Sequence, residues 1–329
     1  MKKNIAVITG GTSSEYVVSL RSATNVANAL NKDKYNVYIV NISNQGWFLV
    51  EENRSDLPID KNDFSVIVDG IKINFDAAFF ALHGAPGENG LLQAYFELVG
   101  IPYSTGDTLN MSLTFNKYAC NSFLRPLGIP VAESILIRKG EQVDAQAIVA
   151  KLGLPCFAKP NSAGSSFGVS KIKSAADVLP ALEKAYAEDN EVVIERYLSG
   201  REFTCGVCKT ATKSLVMPIT EIVSKNEFFD YQAKYTPEFV SEITPAEIDV
   251  NLAMLMQTTA ERVYDLVNCR GIARVDFIVD NGIPYVLEIN TIPGMTSTSL
   301  VPQQIRAMNL TQEQVFEWVL EDTFLRDKQ

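Results

Sequence analysis

The strongest constraint on the fold lies at the start of the chain. There an apolar run, Ile5-Ala6-Val7-Ile8, ends at Gly10-Gly11-Thr12-Ser13-Ser14. Consecutive apolar residues suit a strand, and the small residues after them suit a tight turn. Beyond the turn Val17, Leu20, Val26, Ala27 and Leu30 recur at near-helical spacing, and Tyr35 to Ile42 reads as a second strand. This is the opening of a βαβ unit, in which ligands collect where a strand gives way to a helix. A second such place follows: Ala77 to Leu82 runs into His83-Gly84-Ala85-Pro86-Gly87-Glu88-Asn89-Gly90, and Leu91 to Val99 reads as a helix broken by Gly100-Ile101-Pro102. The opening third therefore reads as an α/β domain with two loops facing a substrate.

The middle region begins at Asn116-Lys117 with a helix ending at Leu127-Gly128-Ile129-Pro130. Leu154 to Pro160 reads as a strand delivering Lys159, and Val192 to Leu198 as a strand stopping at Ser199-Gly200. The last third holds a β-rich stretch and a hairpin around Asp280-Asn281-Gly282. Between them lies a helix with Leu252, Leu255, Met256, Ala260, Val263 and Leu266 at helical spacing.

Composition removes several classes of function. The formal net charge of −10 is not gathered into any block, and clustered Lys and Arg for a nucleic-acid groove are absent. His83 is the only histidine, which excludes zinc sites built on two or three histidines. The five cysteines are odd in number and scattered, so they form no disulfide framework. Cys205 and Cys208 make a CxxC, yet they sit in a strand, where residues three apart face opposite sides; two ordinary thiols are expected. No apolar stretch is long enough to span a bilayer, and the run after Met1-Lys2-Lys3 is too short for a signal peptide, so a cytoplasmic protein is expected.

Three segments carry chemistry. Ser162 to Ser170 is rich in glycine and hydroxyl groups, and successive amides there can cradle phosphate oxygens. It is no P-loop, because Gly-Lys-Ser/Thr is missing, and alone it also fits a flexible turn. Lys159 upstream and Lys117 at the head of the middle region add point charges suited to a polyphosphate.

The second segment is the hairpin. Arg274-Val275-Asp276-Phe277 and Leu287-Glu288-Ile289-Asn290 both alternate polar with apolar residues. A three-residue loop with Gly282 in the left-handed region pairs Ile283 with Val279, Asp276 with Val286 and Arg274 with Glu288, pointing all four polar groups one way. A two-residue loop separates them. With the first, Asp276, Glu288 and Asn290 form an oxygen-rich set suited to Mg²⁺; a solvated sheet surface is the competing reading. The third segment, Thr291 to Leu300, is a loop dense in backbone donors and hydroxyls, able to hold a carboxylate or a developing oxyanion.

With these pieces assembled the sequence resembles the D-alanine–D-alanine ligases of the ATP-grasp superfamily, from Ile5 to about Met308. The resemblance rests on Gly10 to Glu15, Leu82-His83-Gly84, Gly164 to Val169, Asp230-Tyr231-Gln232-Ala233-Lys234-Tyr235 and Glu288 to Thr296, in that order. It implies an α/β chain, α+β in its ATP-binding part: an ATP-grasp fold preceded by an open parallel α/β N-terminal domain. The divisions expected are residues 1–113, 114–200 and 201–329. The implied activity is ATP-dependent ligation of two D-alanines through a D-alanyl phosphate, by a homodimer using two Mg²⁺, with Mn²⁺ as a substitute.

The resemblance also implies roles. Glu15 would hold the ammonium of the first D-alanine, with His83 beside that amino acid. Lys117 and Lys159 would contact the nucleotide, Ser165 and Ser166 would lie over its phosphates, and Glu195, Leu198 and Glu202 would bracket adenine and ribose. Lys234 and Tyr235 would belong to a closing loop, with Tyr235 linked to Glu15 through Ser165. Arg274 would neutralise the transferring phosphoryl group, and Asp276, Glu288 and Asn290 would ligate Mg²⁺. The Gly294 amide would be an oxyanion donor, and Ser299 and Leu300 would bind the second carboxylate. Two departures from the family pattern stand out: Asn89 and Asn116 occupy positions where Asp is frequent.

Rival readings differ at particular residues. Another ATP-grasp carboxylate–amine ligase would share Lys159, Asp276, Glu288 and Asn290 but differ at Glu15 and Ser299. A D-alanine–D-lactate ligase would differ around Lys234-Tyr235. A nucleotide-dependent oxidoreductase would need the GxGxxG spacing that Gly10-Gly11-Thr12-Ser13-Ser14 lacks. A non-catalytic nucleotide-binding module would have lost the metal ligands.

Overall fold

The computed structural model describes residues 2–51, 54–162, 164, 167–224 and 240–326. Strand β1 (Lys3–Gly10) leads through helix α1 (Tyr16–Ala29) to β2 (Tyr35–Ser43), and the two strands pair in parallel. An antiparallel meander follows: β3 (Gly46–Glu51), β4 (Arg54–Asp60), β5 (Ser65–Val68) and β6 (Ile71–Ile73) extend the sheet beyond β2. Then β7 (Ala77–Phe80) returns to pair in parallel with the other edge of β1. The parallel part is as expected from sequence, whereas the antiparallel extension was not. With a neighbour on each edge and packing on each face, Ile5 to Ile8 are completely buried. Ile5 and Val7 face one core and Ala6 and Ile8 another, as the two-residue period requires.

Helix α2 (Leu91–Val99) begins and ends at left-handed glycines. Helices α3 (Thr108–Phe115) and α4 (Lys117–Leu124) are each opened by a side-chain cap. The cap of α4 is Asn116, whose Oδ1 accepts from the Ala119 amide at 2.9 Å. Asn and Asp cap comparably well, so this departure leaves the helix start intact. The single helix expected from Asn116 to Leu127 is α4 followed by one 3₁₀ turn, Arg125–Leu127.

A second sheet is antiparallel. Its strands are β8 (Ser134–Arg138), β9 (Cys156–Pro160), β10 (Ser170–Ile172) and β11 (Glu191–Arg196), in the order β10-β9-β11-β8. Cys156, Ala158, Ile172, Val192 and Ile194 face a core closed by α5 (Ala145–Leu152) and α6 (Val178–Ala185). Alternation then places Phe157, Lys159, Val193 and Glu195 on the opposite face.

The third sheet is also antiparallel, with the path β15-β14-β12-β16-β17 and β13 paired to β12. It comprises β12 (Arg201–Lys209), β13 (Ser214–Val216), β14 (Thr220–Ser224), β15 (Val240–Ile243), β16 (Gly271–Asp280) and β17 (Ile283–Asn290). Helix α7 (Val250–Leu266) covers it with Met256, Ala260 and Val263. Two residues assigned to apolar helix stripes are instead exposed, Val17 at 55% and Leu255 at 48%. The buried faces are Ser19, Ser22, Ala23, Val26 and Ala27 on α1 and Met256, Ala260, Val263 and Tyr264 on α7, and at about 3.6 residues per turn Val17 and Leu255 point away from them. Helix α8 (Leu300–Ala307) packs on β12, and α9 (Gln312–Arg326) returns to the first sheet, where Phe316 packs on Phe79 with ring centroids 5.2 Å apart. Cys205 and Cys208 face different cores, and burial pushes both thiols up to about 12, as expected of inert thiols. Among the described residues no helix is long and apolar enough to cross a membrane.

Candidate active site

The three sheets converge on a cavity of about 530 Å³. Every predicted site residue within the described residues borders it. Ser165, Ser166, Lys234 and Tyr235 lie outside the described residues.

The hairpin corrects the sequence reading. Asp280 pairs with Ile283 across a two-residue turn, with Asn281 at φ 51° and Gly282 at φ 77°. Two successive left-handed residues make a type I′ turn, which matches the right-handed twist of the strands. The expected three-residue loop, with Asp276 opposite Val286 and Arg274 opposite Glu288, is not formed. A β-bulge restores the common face: the register shifts at Asp276/Phe277, so that Leu287 is the extra residue. Asp276 then sits opposite Glu288 and Arg274 opposite Asn290. All four polar groups face the cavity, by a different pairing from the one expected.

These groups are tightly connected. Arg274 grips Asp276 with two bonds of 2.7 Å, Thr204 Oγ1 donates to Asp276 Oδ1 at 2.6 Å, and Asn290 Nδ2 donates to Oδ2 at 2.9 Å. Burial opposes the Arg274 charge, but Asp276, Glu288 and Glu202 hold it protonated. Lys117 Nζ approaches Glu288 Oε2 at 3.7 Å. Among the described residues no three His, Cys, Asp or Glu side chains gather as a metal site. The donor set is two facing carboxylates and the Asn290 amide, an all-oxygen set that fits a hard divalent cation.

On the second sheet Lys159 Nζ lies 2.6 Å from Glu195 Oε2, and Asn121 Nδ2 donates to Glu195 Oε1 at 3.1 Å. Register explains the pair: Lys159 sits opposite Val193, so Glu195 is its diagonal neighbour on the cavity face. Leu198 is buried just beyond β11, and Glu202 faces the cavity from β12.

Glu15 ends the first loop and stands at the N-cap position of α1, with no capping bond from its side chain. A Cβ on Gly164 would lie 2.5 Å from Glu15 Oε2, so any larger residue would have to displace this carboxylate where the Gly/Ser-rich segment meets it. His83 is buried, with Nδ1 2.9 Å from Ile292 O and Nε2 3.0 Å from Ser22 Oγ. The Gly294 loop is closed by Ser299, whose Oγ accepts from the Thr296 amide at 3.1 Å.

Sequence reasoning missed Glu88 as a site residue. Its Oε2 accepts from the Gly84 amide at 2.6 Å, and burial together with the Glu15 charge pushes its carboxyl up to about 8. The signal available was an acid inside the second strand-to-helix loop. Its neighbour Asn89 supports the start of α2, with Oδ1 accepting from the Leu91 amide at 3.3 Å.

Comparison with known proteins gives one answer across both halves of the chain. Family models described as the N-terminus and the C-terminus of D-ala D-ala ligase match residues 4–106 and 123–321. The D-alanine–D-alanine ligase of Phocaeicola vulgatus is 49% identical over 325 residues, covering 98% of this chain and 100% of that protein. That of Flavobacterium johnsoniae is 50% identical over 319 residues, covering 97% and 98%. Among solved structures, the VanG D-Ala:D-Ser ligase from Enterococcus faecalis superposes with a TM-score of 0.88 at 32% identity, covering 98% and 100% of the two chains. The D-alanine–D-alanine ligase from Bacillus anthracis complexed with ATP gives 0.79 at 30% identity, covering 99% of each. A hairpin, two strand-to-helix loops and a lysine-bearing sheet around one cavity, matched from end to end by these relatives, make this chain a member of the D-alanine–D-alanine ligase family.

Proposed function

We propose that the protein joins two D-alanines into D-alanyl-D-alanine for peptidoglycan precursor synthesis, cleaving ATP to ADP and phosphate. The observation that carries the reading is the cavity itself: the Glu15 carboxylate, the Lys159–Glu195 pair and the Arg274–Asp276–Glu288–Asn290 face all open into it. In this reading a carboxylate for an ammonium, cations for a polyphosphate and an oxygen-rich face share one cavity.

The chemistry follows from the weakness of a carboxylate as an electrophile. A carboxylate oxygen of the first D-alanine attacks the γ-phosphorus of ATP, ADP leaves, and a D-alanyl phosphate forms. The amine of the second D-alanine, having lost a proton, attacks the acyl carbon and expels phosphate. Glu15 holds the ammonium of the first D-alanine, with His83 flanking it. Lys117 and Lys159 meet the nucleotide phosphates, with Ser165 and Ser166 above them. Glu195, Leu198 and Glu202 border adenine and ribose. Arg274 offsets negative charge as the phosphoryl group transfers. The Gly294 amide donates to the acyl oxygen in the tetrahedral stage, and Ser299 with the start of α8 takes the second carboxylate. Lys234 and Tyr235, outside the described residues, are the ones assigned to keep water from the acyl phosphate. Asp276, Glu288 and Asn290 are the residues to hold Mg²⁺, two ions in this reading, which when bound supplies charge neutralisation at the phosphates.

The same reading places the enzyme in the cytoplasm as a homodimer, with units at residues 1–113, 114–200 and 201–329. Product analysis tests it. Incubation with ATP, Mg²⁺ and D-alanine should yield the dipeptide and equimolar ADP, and L-alanine should yield neither. Depsipeptide from added D-lactate, or a mixed dipeptide from D-serine in preference to D-alanine, would reassign the second substrate. Folded protein that binds ATP but forms no ADP in any tube would overturn the reading.

A further inference from the structure

Both ring nitrogens of His83 are engaged by the protein. Ile292 O, 2.9 Å from Nδ1, only accepts, so Nδ1 carries the proton. Nε2 of that neutral ring is an acceptor, which makes the Ser22 hydroxyl, 3.0 Å away, the donor. Ser22 Oγ in turn accepts from the Met295 amide at 3.2 Å. The bonds therefore run in one direction, from Met295 N–H through Ser22 to His83 and on to Ile292 O. Burial, against the opposing pull of Glu15, favours the neutral ring that this order needs.

Neighbouring turns of α1 extend the arrangement. Asn25 Nδ2 donates to Met295 O at 2.5 Å, and Ser19 Oγ accepts from the His83 amide at 3.0 Å. Ser19, Ser22 and Asn25 recur every three residues and so share one helix face. Ile292 and Met295 bracket Gly294, and both are buried while Gly294 is half-buried and lines the cavity.

We propose that Ser22 and His83 are positioning residues: a buried latch that fixes the Gly294 loop to α1 and thereby sets the Gly294 amide relative to Glu15, which begins the same helix. The inference rests on the ligase reading above; beside its place next to the first D-alanine, His83 acts through Ile292 and Met295.

The test is Ser22→Ala in the full chain, assayed beside the wild type. Dipeptide kcat should fall about 10- to 100-fold, the scale on which misplacing a reacting group acts, while the KM for ATP stays within about twofold. Amide exchange at Met295 in nucleotide-free protein should accelerate at least about tenfold, with β16 amides unchanged. Ser22→Thr, which keeps the hydroxyl, should restore slow exchange. His83→Asn keeps a donor for Ile292 O but loses the Ser22 link, and should match Ser22→Ala; it decides the question if Ser22→Ala fails to fold. Wild-type kcat and unchanged Met295 exchange in the variant would overturn the latch. Absence of dipeptide from the wild type would count against the ligase reading instead, and exchange at Met295 would still decide the latch.

Discussion

Removing the Lys159 ammonium should destabilise the protein more than removing the whole ion pair it belongs to. Lys159 and Glu195 meet at 2.6 Å with side chains only 11% and 7% exposed. At an effective dielectric near 20 their attraction is about 6 kcal/mol, and desolvation of the two ions offsets most of it. The intact pair is therefore worth little net, whereas either half alone is a buried charge. Lys159→Met leaves Glu195 with the neutral Asn121 amide as its described partner. That should cost about 3–5 kcal/mol, and Glu195→Gln somewhat less. The double variant should lie within about 1–2 kcal/mol of wild type, a coupling of several kcal/mol. Urea unfolding of all four proteins at neutral pH measures this. In the double variant stability should recover while nucleotide affinity does not, because Lys159 is gone from the cavity. Additive losses, with the double variant the least stable, would refute the reasoning.

Three further outcomes follow from the site. Asp276→Asn should fold, yet lose about 10²–10³ in kcat, the scale of one lost charge-stabilising group; unaltered turnover would sink the proposed cation site. Glu88→Gln should change the pH dependence of stability in metal-free protein. The Glu88 carboxyl is raised from 4.5 to about 8, so its protonated form stabilises the fold fully below about pH 4.5, and that contribution is lost as pH rises through about 8. Relative to Glu88→Gln, wild type should thus lose about 2–4 kcal/mol between pH 5 and pH 9, after allowance for solvent screening. Denaturant midpoints that stay parallel across this range would contradict the assignment. Replacing Cys205 and Cys208 together by Ala should leave kcat within about twofold, since neither thiol reaches the cavity; a larger loss would give them a role the fold does not.

How far the sequence carries depends on how local the signal is. The β1–α1–β2 opening, helix α2 and the polar alternation of β16 and β17 were legible because periodicity and glycine placement are local. The pairing of Asp276 with Glu288 was not, because it depends on a bulge at Leu287 that leaves no mark in composition, and on a choice between two plausible loops. The β3–β6 meander was missed because strands of three to seven residues carry little periodicity. Long-range packing was invisible for another reason. Nothing in Phe316 announces that it will meet Phe79, and Ser22, an unremarkable helix serine, gains meaning only when His83 and Met295 arrive beside it. Glu88 was read as part of a loop motif, and its perturbed carboxyl appears only once burial and Glu15 are in place.

The central claim, that a D-alanine carboxylate is activated on phosphate before the second amine attacks, is tested most directly by isotope transfer. D-alanine labelled with ¹⁸O in its carboxylate would be incubated with the protein, ATP and Mg²⁺, and the dipeptide and phosphate analysed by mass spectrometry. One ¹⁸O should appear in phosphate for every dipeptide formed. Dipeptide accompanied by unlabelled phosphate, or ADP released with no dipeptide, would contradict the account.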